Sequence, residues 1–153
     1  MVFIMKTSKK VVNKRFALGK GEYENVINDI EMKGKCPFCP DNFKYHKNPI
    51  LKKTGSWFIT ENSWPYKNTE YHFLIINTNH KENFKELTVK DWNSIKEITD
   101  WAINKYKLKG GALALRFGET EYTGATVCHI HAHLIYPKLD KNKKTKTVYF
   151  PVG

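Results

Sequence analysis

Arginine is nearly absent from this chain. Of its 26 basic residues only Arg15 and Arg116 are arginines; all the others are lysines. Arginine is the side chain that grips phosphates and base edges in bidentate fashion, so the composition argues against a dedicated nucleic-acid reader. Cysteine is also scarce: three residues, unevenly spaced, cannot build a disulfide framework. No apolar run is long enough to cross a bilayer, and no internal repeat is visible. The start, MVFIMKTSKK, has a short apolar patch without a long apolar region or a small-residue cleavage site, so no secretory signal is expected. The expectation is a cytoplasmic, soluble protein with one domain spanning residues 1–153. Its 41% hydrophobic and 27% charged residues suffice for a core. The net charge of +11 points to polyanions such as nucleotides, nucleic acid or a membrane surface. A codon bias that also enriches Asn and Ile explains the lysines equally well, so the charge discriminates weakly.

Residues 1–20 carry six basic residues and no acid and read as a strand-like start or a loose basic arm. Residues 22–32 put Val26, Ile27 and Ile30 on one helical face, and Gly34 stops that helix. Cys36-Pro37-Phe38-Cys39-Pro40-Asp41-Asn42 reads as a tight knuckle. Residues 56–60 and 72–77 read as strands with a loop between them. Thr88 caps a long helix and Asp91 completes a capping box. Trp92, Ile95, Ile98, Ala102, Ile103 and Tyr106 then recur at helical spacing as core positions, and Gly110-Gly111 ends the helix. Residues 112–117 and 127–136 are two more strands, 138–146 a lysine-rich loop, and 148–152 a short edge. Four or five strands and one long helix predict an α+β domain around an antiparallel sheet.

The most informative segment is His129-Ile130-His131-Ala132-His133-Leu134-Ile135. Alternate residues of a strand share a face, so the three histidines stand together, about 7 Å apart at the backbone. Cys128, Ile130, Ala132 and Leu134 then point into the core, with Cys128 a small buried apolar residue. A solvent-facing strand would be served as well by Thr, Lys or Ser. Imidazole adds nucleophilicity, acid–base chemistry near neutral pH and metal ligation. The spacing suits phosphorus chemistry: one neutral imidazole attacks and a neighbour contacts a phosphate oxygen or the leaving group. Gly124 permits close backbone approach, and Thr126 offers a hydroxyl to an oxyanion.

This pattern resembles the histidine triad (HIT) superfamily of nucleotide hydrolases and transferases. Asn62-Ser63-Trp64-Pro65-Tyr66 is similar to its N-x-x-P-Y segment, and His72-Phe73-Leu74-Ile75-Ile76 to its H-φ-L-φ-φ strand. His80, before Phe84 to Leu87, is similar to its histidine after that strand. The similarity covers residues 36–136. It implies a HIT-like antiparallel sheet with one long helix, and a nucleotidyl-histidine intermediate on His131, with His133 binding phosphate or protonating the leaving group. It also implies Thr126 on phosphate oxygens, Asn62 on ribose hydroxyls, a nucleotide substrate and, by analogy, a homodimer. Asn62 reads equally as a turn former before Trp-Pro. Two departures stand out. Gly124-Ala125-Thr126 replaces the common Gly-Gln-Ser, and Arg116 replaces an Asn, so Arg116 either supplies charge to the phosphates or forms a structural salt bridge.

Cys36-x-x-Cys39 reads as a metal half-site, a redox pair or two unconnected thiols. Superfamily members with such a pair, including galactose-1-phosphate uridylyltransferases, bind structural zinc. That resemblance implies a Zn2+ site of Cys36, Cys39, His80 and His129; His46, close in sequence to the knuckle, is the runner-up ligand. It would clamp an N-terminal zinc knuckle to the triad strand. The third histidine stands where the sugar transferases usually have Gln, which favours a hydrolase or phosphorylase, with dinucleoside polyphosphates or related nucleotides as substrates. The competing reading is a zinc-stabilised nucleic-acid-binding or DNA-adenylate-processing protein, resting on the lysines at 6–20 and 138–146.

Overall fold

The computed structural model describes residues 10–153; the first nine residues of the basic arm lie outside the described residues. Eight elements make up the ordered framework: α1 (Glu22–Lys33), β1 (Ile50–Thr54), β2 (Trp57–Glu61), β3 (Thr69–Asn77), α2 (Val89–Tyr106), β4 (Ala112–Leu115), α3 (Thr120–Thr123) and β5 (His131–Pro137). The strands form one antiparallel sheet in the order β1-β2-β3-β5-β4, the α+β architecture expected of the sequence. β3 is central. It pairs with β2 from Trp57↔Asn77 to Glu61↔Phe73 and with β5 from Ile76↔His131 to Thr69↔Pro137.

The near-continuous apolar run of β3 follows from burial on both faces. On one face Trp57, Ile59, Phe73, Ile75, Ala132 and Leu134 pack against Ile95, Ile98 and Ala102 of α2. On the other, Phe58, Leu74 and Ile76 pack against Ile27 and Ile30 of α1 and against Val12, Ala17, Cys36 and Phe38. The period of two therefore sends His131 and His133 toward α1 and the knuckle, and Ala132 and Leu134 toward α2.

Both long helices start where the sequence leads one to expect, and α1 also stops there. Gly34 caps α1 in the left-handed conformation. Thr88 and Asp91 form a reciprocal capping box. The Asp91 carboxylate also accepts from Trp57 Nε1 (2.9 Å), Asn77 Nδ2 (3.2 Å) and Lys81 Nζ (3.1 Å). Burial pushes this carboxyl up, but the hydrogen bonds from Thr88, Trp57 and Lys81 outweigh it and hold the pKa at about 2.

Several expectations need correction. Residues 10–20 are not a loose arm: Val12 bridges to Val127, Lys14–Ala17 form a 3-10 turn, and Val12 and Ala17 are buried. β1 went unrecognised because Lys52 and Lys53 interrupt its apolar pattern on the sheet edge. It turns into β2 at Gly55, whose φ of +55° suits glycine and where a Cβ would lie 2.7 Å from Ser94 Oγ. Trp92 and Ile103 of α2 are surface residues, 39% and 40% exposed. The helix ends at Lys107, itself left-handed, before the glycine pair is reached. Strand β5 begins at His131 rather than Val127, Cys128 is half-buried, and residues 148–152 form no strand.

Candidate active site and metal cluster

Because β5 begins only at His131, the first histidine of the motif leaves the sheet geometry, and the three imidazoles acquire three different environments. All are buried. Burial lowers the pKa of His129 to about 4 and of His131 to about 3, and holds His133 well below its ordinary value. His72 on the neighbouring β3 is likewise held at about 4 by burial and then by the Arg116 charge. All four rings are therefore neutral at pH 7, and each carries one N–H and one lone pair.

Their hydrogen bonds assign those protons. His129 Nε2 lies 2.7 Å from the Asn77 carbonyl, so it donates, and its Nδ1 lone pair is left facing Cys36 Sγ (3.4 Å) and Cys39 Sγ (3.8 Å). His131 Nδ1 lies 2.7 Å from the His129 carbonyl, so it donates there and Nε2 keeps the lone pair. His72 Nδ1 accepts the backbone N–H of Tyr66 at 3.0 Å. Its proton is consequently on Nε2, donated to His133 Nδ1 at 2.8 Å, and His133 must carry its own proton on Nε2. Of the triad, only His131 retains an unused lone pair outside the cysteine cluster.

His131 and His133 line a cavity of about 370 Å3. Its wall is partly apolar, with Val26, Ile27 and Ile30 of α1, Phe38 and Leu74, and partly polar, with Arg116, Thr126 and Asn62. Tyr23 lines the same cavity as Thr126; burial raises its phenol pKa, and Thr126 opposes that rise. The Oδ1 of Asn62 accepts the Trp64 N–H at 3.0 Å, and its Nδ2 lies 3.4 Å from the His72 ring. Asn62 is thus both a turn former and part of the cavity wall. Arg116 makes no ion pair among the described residues. Its Nη1 donates to the Pro151 carbonyl (2.9 Å), its Nη2 lies 3.3 Å from His133 Nε2, and its Nε is buried without a partner.

Cys36, Cys39, His80 and His129 form a separate cluster, each offering one ligand atom and all four atoms lying within 4.8 Å of one another. Cys39 Sγ is 3.5 Å from His80 Nδ1. Behind the cluster, Glu82 lies 3.4 Å from His80 Nε2 and the Asn77 carbonyl holds His129, as expected of imidazoles presented to a metal. Two thiols and two oriented imidazoles suit tetrahedral zinc. His46 is not in the cluster: it stacks on Phe43 (4.2 Å between centroids) and lines the cavity.

Sequence reasoning missed the roles of His72, Tyr66 and Tyr23. His72 stood in a quoted motif, but nothing in a linear chain marks its pairing with His133, 61 residues away. Tyr23 carries no signal beyond its place on α1.

Burying neutral histidines also couples stability to pH. With His72 at about 4 in the folded chain against about 6.5 unfolded, the unfolded state binds more protons between those values. Stability should therefore fall as pH drops from about 6.5 to about 4, by up to ~3 kcal/mol for such a group. Urea unfolding midpoints should decrease across that window, with a shallower slope in His72→Asn; a midpoint independent of pH would contradict the assignment.

A family model described as "Protein similar to CwfJ C-terminal" matches residues 24–150. Solved structures of similar fold include a histidine triad nucleotide-binding protein from Candida albicans, at 21% identity and a TM-score of 0.58, covering 78% of this chain and 85% of that one. A HIT family hydrolase from Clostridium thermocellum matches at 24% identity and 0.52, covering 72% and 96%. A zinc-bound histidine triad family protein from Mycobacterium smegmatis matches at 17% and 0.53, covering 76% and 84%. No curated protein matches the chain. Among the described residues, no helix is long and apolar enough to cross a membrane.

Proposed function

The chain belongs to the family of proteins similar to the CwfJ C-terminal region and has the histidine-triad fold, and from that premise we propose that it is a nucleotide hydrolase or nucleotidyltransferase acting at an α-phosphorus. The observation that carries this reading is the hydrogen bond from His131 Nδ1 to the His129 carbonyl. It leaves the Nε2 lone pair as a nucleophile on a residue that lines the cavity.

In the first step, His131 Nε2 forms a bond to phosphorus while the bond from phosphorus to the leaving group breaks, taking its electron pair with it. The imidazole becomes cationic, and the His129 carbonyl stabilises the proton on Nδ1. His133 Nε2–H and the Thr126 hydroxyl donate to phosphate oxygens. In the second step an acceptor oxygen displaces His131, and water as acceptor gives a hydrolase. Asn62 stands in the cavity wall for ribose, and the apolar lining from α1 and Phe38 suits a base. Cys36, Cys39, His80 and His129 would hold Zn2+, which supplies no reaction step and serves to clamp the knuckle and the start of β5. A cavity walled by a polarised nucleophile is a catalytic arrangement, which favours this reading over a nucleic-acid-binding module.

A panel of dinucleoside polyphosphates, nucleoside phosphoramidates and nucleotide sugars tests the proposal: release of a nucleoside monophosphate from one class is expected, and inertness toward all three would refute it. Thr126→Ala should lower turnover by roughly tenfold to a thousandfold through lost oxyanion stabilisation. Asn62→Ala should raise KM more than it lowers kcat, because ribose binding is largely uniform along the reaction. An equal loss on a substrate lacking ribose hydroxyls would identify Asn62 as structural.

A further inference from the structure

Arg116 is a half-buried cation without a counter-ion. No carboxylate among the described residues pairs with it, and its Nε is buried with no partner. Its guanidinium is held in place, stacked over the Phe150 ring at 4.7 Å and tethered to the Pro151 carbonyl. Tyr66 lines the same cavity, and the Arg116 charge opposes the upward push of burial on its phenol. The Tyr66 N–H fixes His72, His72 fixes His133, and His133 Nε2 therefore carries a hydrogen. That N–H and the Arg116 Nη2 stand 3.3 Å apart, two donors facing each other. Such a pair is repulsive until a shared acceptor, best an anionic oxygen, lies against both.

Resting on the nucleotide reading, we infer that Arg116, the Tyr66 hydroxyl and the His133 Nε2–H form a subsite for the phosphate beyond the scissile bond, so that the leaving group this enzyme takes is a phosphate or polyphosphate rather than an amine. The chemistry agrees with the geometry. When the P–O bond breaks, the electron pair stays on an oxygen of a phosphate that is stable as an anion and needs no proton. A departing amine must be protonated, and the N–H of a neutral imidazole donates a hydrogen bond but is a poor acid. The charge of Arg116 meets the charge that develops on the departing oxygen and costs no reorganisation, because Phe150 and Pro151 already hold the guanidinium.

Binding of two non-reacting ligands isolates this subsite from turnover. AMP fills the nucleoside and α-phosphate positions; α,β-methylene-ADP adds one phosphate across a bond that cannot be hydrolysed. Measured by calorimetry on the zinc-replete protein, α,β-methylene-ADP should bind about ten- to a hundredfold more tightly than AMP, the range of charge-assisted hydrogen bonds. Arg116→Gln should bring that ratio to within about twofold of one. Tyr66→Phe, which retains the backbone N–H that orients His72, should lower it severalfold. AMP affinity reports the integrity of each variant, and Tyr66→Phe carries the test if Arg116→Gln fails to fold. A ratio near one in the wild type, or one that survives Arg116→Gln, overturns the subsite while leaving the nucleotide reading intact. Failure of both ligands to bind removes the nucleotide reading, and the subsite with it.

Discussion

Replacing His131 by alanine should reduce turnover by about four orders of magnitude or more, the scale seen when a covalent nucleophile is removed, while leaving the fold and the metal in place. The positions of the imidazole protons single out this residue. His129 donates from Nε2 to Asn77 and turns Nδ1 toward two thiols. His133 receives the His72 proton at Nδ1 and presents N–H at Nε2. Only His131 has a lone pair to offer. Its ring meets Phe38 edge-on at 4.9 Å, so truncation enlarges an existing cavity rather than opening a new one in the core. His129→Ala should behave differently, damaging metal content and folding first and activity in consequence. A His131→Gly protein supplied with a nucleotidyl imidazolide should recover the second half-reaction, because the small molecule brings the missing intermediate. Mass spectrometry of quenched wild-type protein should find a nucleotidyl adduct on the peptide containing His131. Full activity in His131→Ala, or an adduct mapped to His133, would overturn the assignment.

The second large effect is expected at Cys36. Its sulfur is buried, 3.4 Å from His129 Nδ1, and burial pushes the thiol up to about 12. A metal would be needed to hold it as thiolate at neutral pH. Purified protein should contain about one zinc per chain. Binding energies of structural zinc sites, about 10–16 kcal/mol, rival the entire stability of a domain, about 5–15 kcal/mol. Cys36→Ser should therefore lose the metal and lower Tm by about 10 °C or more, and chelation of the wild type should do the same. Metal-free wild type of undiminished stability would exclude the zinc site. A Cys36–Cys39 disulfide in that protein would identify a redox pair instead.

Local signals in the sequence carried a large part of the fold. α1 ends at Gly34 because a left-handed residue closes a helix most easily when it has no Cβ, and α2 begins at Thr88 because its hydroxyl and the Asp91 carboxylate satisfy two orphan N–H groups. The apolar run of β3 identified a strand without reference to its partners, and the sheet order then placed it at the centre. β1 was illegible for the converse reason: an edge strand with Lys52 and Lys53 needs no apolar face to stay paired. Trp92 and Ile103 satisfied the helical period yet lie at the margin of the stripe that α2 presents to the sheet, and periodicity does not say how wide that stripe is.

The cysteine and histidine residues of the candidate site were legible because metal ligation and phosphorus chemistry demand particular side chains at particular spacings, and those demands are written one residue at a time. The sequence thus determined which residues were candidates for the chemistry: His129, His131, His133 and the Cys36–Cys39 pair by their spacing, and His80 through the family resemblance. Only the tertiary structure decided what surrounds each of them. The three histidines share one strand pattern, but β5 begins at His131, so His129 turns to the cysteines and the Asn77 carbonyl. The proton on His133 is set by the Tyr66 backbone through His72, and Arg116 meets it from just beyond β4, on the side of β5 away from β3. Proton positions in neutral imidazoles depend on which donors and acceptors surround them, and those neighbours come from β3, the 62–68 loop and the chain end at Phe150–Pro151. Their proximity is a product of folding.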